Sequence, residues 1–153
     1  MRPSPTTNDR AAAGRRAGLV LMAAGLLTVI GSGNAWVACS TTGCDGFLQA
    51  FSEQSGIELG HGILTGIAGG LLALTGIPVH VRGGGRRFRT TALLLSLLVL
   101  ATIAAFVIGV YALNDGRLHL WGIPAPGTYL TAAGGLLGFG TGWRIRPMVQ
   151  EAD

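Results

Sequence analysis

The sequence predicts an all-α membrane protein, an antiparallel bundle of four transmembrane helices with both termini in the cytoplasm. Three observations lead there. The 153 residues are 49% hydrophobic and only 12% charged, and 26 of them are glycine, half the charge and more than twice the glycine of an ordinary soluble domain. Four apolar runs, 17–38, 60–81, 91–113 and 125–143, contain no Asp, Glu or Arg, and each is close to the ~20 residues that cross a bilayer. The third observation is where the basic residues fall. All 11 are arginine: Arg2, Arg10, Arg15 and Arg16 in the 1–16 tail, Arg82, Arg86, Arg87 and Arg89 in the 82–90 connection, and Arg144 and Arg146 in the 144–153 tail. The 39–59 and 114–124 loops carry Asp45, Glu53, Glu58 and Asp115, with Arg117 as their single arginine. An arginine excess in alternate short loops sets orientation, so the tails and the 82–90 loop face inward, in the inner (plasma) membrane. The net charge of +4 then reads as a topology signal and as attraction to anionic headgroups, with Arg82, Arg86, Arg87 and Arg89 as the candidate lipid-headgroup contacts. A large soluble catalytic domain is excluded, and no nucleic-acid partner is expected.

The first span, 17–38, follows a basic tail and ends near Trp36, whose amphipathic ring suits the headgroup layer. Its apolar stretch is longer than the roughly 7–15 residues of a cleaved signal core. Trp36-Val37-Ala38-Cys39 also has Trp where a lipoprotein box carries Leu, so the segment is expected to stay as an anchor.

The outer loop, 39–59, holds the only two cysteines, Cys39 and Cys44, on the oxidising face where disulfides persist. A structural disulfide between them is the expectation, and it would constrain the unfolded chain by roughly 2 kcal/mol. Asp45 is a candidate N-cap for a short amphipathic helix with Phe47, Leu48 and Phe51 on one face, lying on the bilayer surface.

The second and third spans are joined by a short connection containing Gly83-Gly84-Gly85, which makes them antiparallel neighbours. Pro78 frees the carbonyl of Leu74, predicting a bend near Gly76 with the Thr75 hydroxyl helping to satisfy that carbonyl. The fourth span begins at Pro124 or Pro126, since proline is tolerated in a first helical turn, and ends at Trp143.

Small residues let helix backbones approach closely in lipid, and three four-residue ladders occur. Gly62, Gly66 and Gly70 lie on the second helix, Ala101, Ala105 and Gly109 on the third, and Gly134, Gly138 and Gly142 on the fourth. Depth places the first two ladders in the same outer half of the membrane, so they are expected to pack face to face. The fourth helix's ladder lies in the inner half, where Ala92, Ser96 or the start of the first helix would meet it. Thr28, Ser32, Asn34, Thr65, Thr75, Ser96, Thr102, Thr131 and Thr141 read as hydrogen-bonding glue within and between helices.

Intramembrane ionisable residues mark ion pathways and substrate sites, and their absence from the spans argues against a coupled transporter. A small multidrug exporter would need an embedded Glu. The cysteine pair leaves two further readings open. Four helices, cytoplasmic termini and an external cysteine pair after the first helix resemble the DsbB-type thiol oxidases, which implies electron transfer from thiols to quinone. That family has C-x-x-C and a second pair in the next outer loop, whereas here the spacing is C-x4-C and the second outer loop has no cysteine. Zinc held by Cys39, Cys44, His61 and His119 is the other reading, with suitable ligand types at scattered spacing; no metal or cofactor is expected. His80 reads as an interfacial residue on the inner side.

The Arg-rich start, Gly31-Ser32-Gly33 leading to Trp36, and Gly60-His61-Gly62-Ile63-Leu64-Thr65 opening a glycine-rich second span together resemble the small uncharacterised four-helix integral membrane proteins of actinobacteria. That resemblance implies location and architecture, and it carries no activity. The expected role is structural, accessory or regulatory, exercised through helix packing with a membrane-protein partner or with a second copy, and not enzymatic. A thiol-disulfide membrane oxidoreductase and a small passive oligomeric pore are the alternatives.

Overall fold

The computed structural model of the chain describes residues 7–37, 55–113 and 125–145. These form four helices, α1 (Thr7–Gly33), α2 (His61–Arg82), α3 (Arg86–Leu113) and α4 (Pro126–Arg144). The described residues contain no strand; Ala35 and Ser55 form one isolated antiparallel bridge. The helices pack in a ring, α1 against α2, α2 against α3, α3 against α4 and α4 back against α1, so that α1 and α3 stand on a diagonal. Neighbours run antiparallel: Gly14 of α1 meets Gly83 beyond the end of α2, and Gly31 of α1 meets Gly127 of α4.

Three helices are long and apolar enough to cross a membrane, α1 over Ala12–Gly33, α2 over its full length and α3 over Arg86–Ala112. The fourth, with 19 residues, has the length but not the apolarity, because glycine and threonine take positions that leucine fills elsewhere.

Helix ends differ from the apolar runs for local reasons. The first helix starts well inside the basic tail and stops at Gly33, before Trp36, where Asn34 turns its side-chain amide onto the Ile30 carbonyl (2.6 Å) and its own N–H onto Gly31 (3.2 Å). Arg86, Arg87 and Arg89 are not in a loop as the sequence suggested. They occupy the first turn of α3, and the connection shrinks to Gly83-Gly84-Gly85. This tightness rests on Gly83 (φ 83°) and Gly84 (φ 99°), in the left-handed region that glycine enters without steric cost; the Gly83 N–H closes α2 on the Val79 carbonyl at 2.9 Å. At Pro78 the helix runs on. Thr75 donates to the carbonyl of Leu71 (2.8 Å), one turn back, rather than to that of Leu74.

The interior is the reverse of a soluble protein's. Thr28, Ser32, Thr65, Ser96 and Thr131 are buried, while Leu74 is 60% exposed, Ile108 65% and Val81 74%. Large aliphatics on the outside and small or hydroxyl-bearing residues inside are what a lipid solvent selects, since lipid tails are as apolar as leucine and give no reason to bury it. Apolar packing concentrates at the two ends. One cluster gathers Trp36, Val37, Ala68, Val99, Ile103 and Phe106; the other gathers Leu21, Leu72, Val79, Ala92 and Ile145 with Phe88 beside them.

Candidate functional site

The helix seams come first, because they position everything else. Between α1 and α2 the backbones touch. A β-carbon on Gly18 would overlap Gly76 and His80, and one on Gly25 would overlap Gly69 and Ala73. Gly62, Gly69 and Gly76 of α2 and Gly83 just beyond it repeat every seven residues, and Gly18, Gly25 and Ser32 repeat likewise along α1. A seven-residue repeat keeps two nearly antiparallel helices in contact along their length, whereas a four-residue ladder suits a steeper right-handed crossing. This corrects the expected Gly62, Gly66 and Gly70 ladder. Gly62 packs on the backbone of Gly56 and Ile57, Gly66 only brushes Ser32, and a β-carbon on Gly70 would meet nothing within 4 Å.

Nor does α3 use Ala101, Ala105 and Gly109 against α2. Ala101 and Ala105 are exposed, and the Gly109 position opens on free space; α3 turns Ala92, Ser96, Val99, Ile103 and Phe106 inward instead. On α4 all three ladder glycines are buried, with different partners. Gly134 lies on Ala24 and Thr28 in the middle of α1, Gly138 between Ser96 and Leu72, and Gly142 on Leu93 and Ala92.

Hydroxyls tie the seams. Ser32 and Thr65 pair across α1 and α2 at 2.8 Å, and Ser32 also donates to the Thr28 carbonyl (2.7 Å). Thr28 and Thr131 bond back to Ala24 (2.9 Å) and Gly127 (2.8 Å) within their own helices. Ser96 is the exception, fully buried with no hydrogen-bond partner for its Oγ.

At one end of the bundle Trp36 is the anchor. It is 0% exposed, because Gly56 and the 55–60 turn close over its indole. Its Nε1–H donates to the Gly31 carbonyl (2.9 Å), and Phe106 meets it edge-on at 5.1 Å between ring centroids. The Trp36 carbonyl receives both the Ala125 N–H (3.0 Å) and the Thr128 hydroxyl (2.9 Å), which ties the exit of α1 to the start of α4. The turn before α2 is fixed by a reciprocal pair: Ser55 N–H donates to the Glu58 carboxylate (2.7 Å) and Glu58 N–H to Ser55 Oγ (3.3 Å). Ser-x-x-Glu is a capping-box spacing, legible at 55–58 and missed in the sequence reading.

At the opposite end lie the arginines. Arg15 and Arg16 of α1, Arg82 at the end of α2, and Arg86 and Arg87 opening α3 are exposed, as is Arg144 closing α4. Arg89 is half-buried, its guanidinium 5.7 Å from the Trp143 ring centroid, and Trp143 stacks on Phe139 at 6.4 Å. His80 Nδ1 lies 3.0 Å from the Arg15 carbonyl, joining α2 to α1.

Cys39, Cys44, Asp45, Phe47, Leu48, Phe51 and His119 lie outside the described residues. His61 sits at the Trp36 end with Nδ1 3.1 Å from the Leu59 carbonyl and its ring against Phe106. Among the described residues no three of His, Cys, Asp and Glu gather where they could hold a metal. Comparison with protein families, curated proteins and solved structures found no match to this chain.

Proposed function

We propose that the chain is a four-pass protein of the inner membrane, with both termini in the cytoplasm, whose role is structural, accessory or regulatory and is exercised by lateral helix packing. The observation that carries this reading is the outer face of α3. Ala101, Ala105 and Gly109 keep the spacing that lets helices approach closely in lipid, yet they point away from the bundle. The seams between the helices already have partners of their own, which leaves this strip for another helix.

The test is disulfide crosslinking in native membranes. Cysteine placed at position 101, 105 or 109, one at a time in a Cys39→Ser/Cys44→Ser background, should give a specific adduct with a second copy or another membrane protein. Monomer alone from all three positions would sink the proposal. The same background addresses the thiol-oxidase alternative: a well-folded double-serine variant that abolished quinone-linked thiol oxidation would replace the packing role with an enzymatic one.

A further inference from the structure

The corner where α3 begins and α4 ends brings together features that the packing role does not use. Arg89 lies half-buried over the face of Trp143, and a guanidinium held on an aromatic face keeps its edge free for an oxyanion. Arg86 is one turn earlier on the same side of α3. The first N–H groups of α3, which have no carbonyl within the helix to meet, add partial positive charge there. Below them Trp143 is 65% exposed, Phe139 stacks beneath it, and Leu136 is 62% exposed, an apolar track leading from the arginines toward the middle of α4. The carboxylate of Glu58, the one acid whose side chain is described, is at the far end of the bundle and is engaged by Ser55.

We propose that this corner binds an anionic phospholipid, its headgroup phosphate held by Arg86 and Arg89 and its acyl chain lying along Trp143, Phe139 and Leu136. Charge alone would spread anionic lipid around all the arginines of this end. The stacked Trp143 and the apolar track beneath it make this corner different, because they fit the two halves of one lipid molecule at once. Arg15 and Arg16, on the diagonal helix α1, provide the internal control.

The experiment reads Trp143 fluorescence in phosphatidylcholine vesicles doped with a minor fraction of brominated phosphatidylglycerol or, in parallel, brominated phosphatidylcholine. Subtracting the Trp143→Phe protein isolates the Trp143 signal. Brominated phosphatidylglycerol should quench as if enriched about fivefold over bulk at that ring, the worth of one arginine at an anionic surface. Arg86→Gln/Arg89→Gln should bring the two lipids to parity, and Arg15→Gln/Arg16→Gln should leave the preference in place. Where the double variant does not fold, Arg86→Gln alone, at an exposed helix start, must lower the preference. Equal quenching by the two lipids in the unmodified protein overturns the proposal, as does an equal loss from the α1 pair, which would mean a diffuse field. Loss of the preference on adding millimolar inorganic phosphate would point to a site for the free anion and also overturns it.

Discussion

Gly69 and Gly70 are neighbours in the chain with opposite surroundings. A side chain at 69 would run into Thr28 and the Gly25 carbonyl, whereas one at 70 would enter open space. Overpacking a close seam costs about 1–3 kcal/mol. Gly69→Leu should therefore lower stability by about that amount or more in detergent unfolding, while Gly70→Leu should leave it nearly unchanged. The reverse order would restore the four-residue ladder. Ser96 makes a second prediction at this scale. Its buried hydroxyl has no partner, and an unsatisfied buried polar group is unfavourable by about 1–3 kcal/mol. Ser96→Ala should hold stability or raise it by up to about 1 kcal/mol; a clear loss would show that the hydroxyl is bonded after all.

Among the elements, α4 stands apart because it gains its place from its neighbours. Its glycines lie on α1 and α3, its first turn is tied to Trp36, and its own sequence falls short of a spanning segment. Tested one at a time in a membrane-insertion assay, α2 and α3 should insert efficiently and α4 poorly; equal insertion of α4 would refute this. The number of helices and their antiparallel alternation were legible in the sequence, since charge-free runs and the connections between them report both without reference to packing. The contacting faces were not. Gly62, Gly66 and Gly70 fit one crossing angle and Gly62, Gly69 and Gly76 another, and the choice depends on where α1 lies, which no local pattern records. The burial of Trp36 was not legible for a similar reason. It depends on the 55–60 turn folding over the indole, a contact between residues distant in the chain.

For the molecule as a whole, the arrangement puts the described arginines at one end and the Trp36 anchor with the 55–60 turn at the other. Single cysteines at Gly85 and at exposed Ile57, in the double-serine background, should react with an impermeant thiol reagent from opposite sides of the membrane. Intact cells should label only position 57 if the arginine end faces inward. Labelling of position 85 alone would invert the orientation, and labelling of both from one side would break the spanning arrangement. The candidate lipid corner was half legible at this scale. Arg86 and Arg89 stood out in the sequence by charge, but Trp143 joined them only when α4 packed against α3.

The inverted interior has one more consequence. Glycine and alanine have no rotamers to freeze when buried, and serine and threonine have few, whereas long side chains lose up to about 2 kcal/mol each. Preformed helices that meet through Gly18, Gly25, Gly69, Gly76, Gly134 and Gly138 give up almost no side-chain freedom on contact, and the exterior leucines and isoleucines keep theirs among mobile acyl chains. With no water to drive the helices together, that saving in conformational entropy lets short-range contact and a few hydrogen bonds between helices hold the bundle.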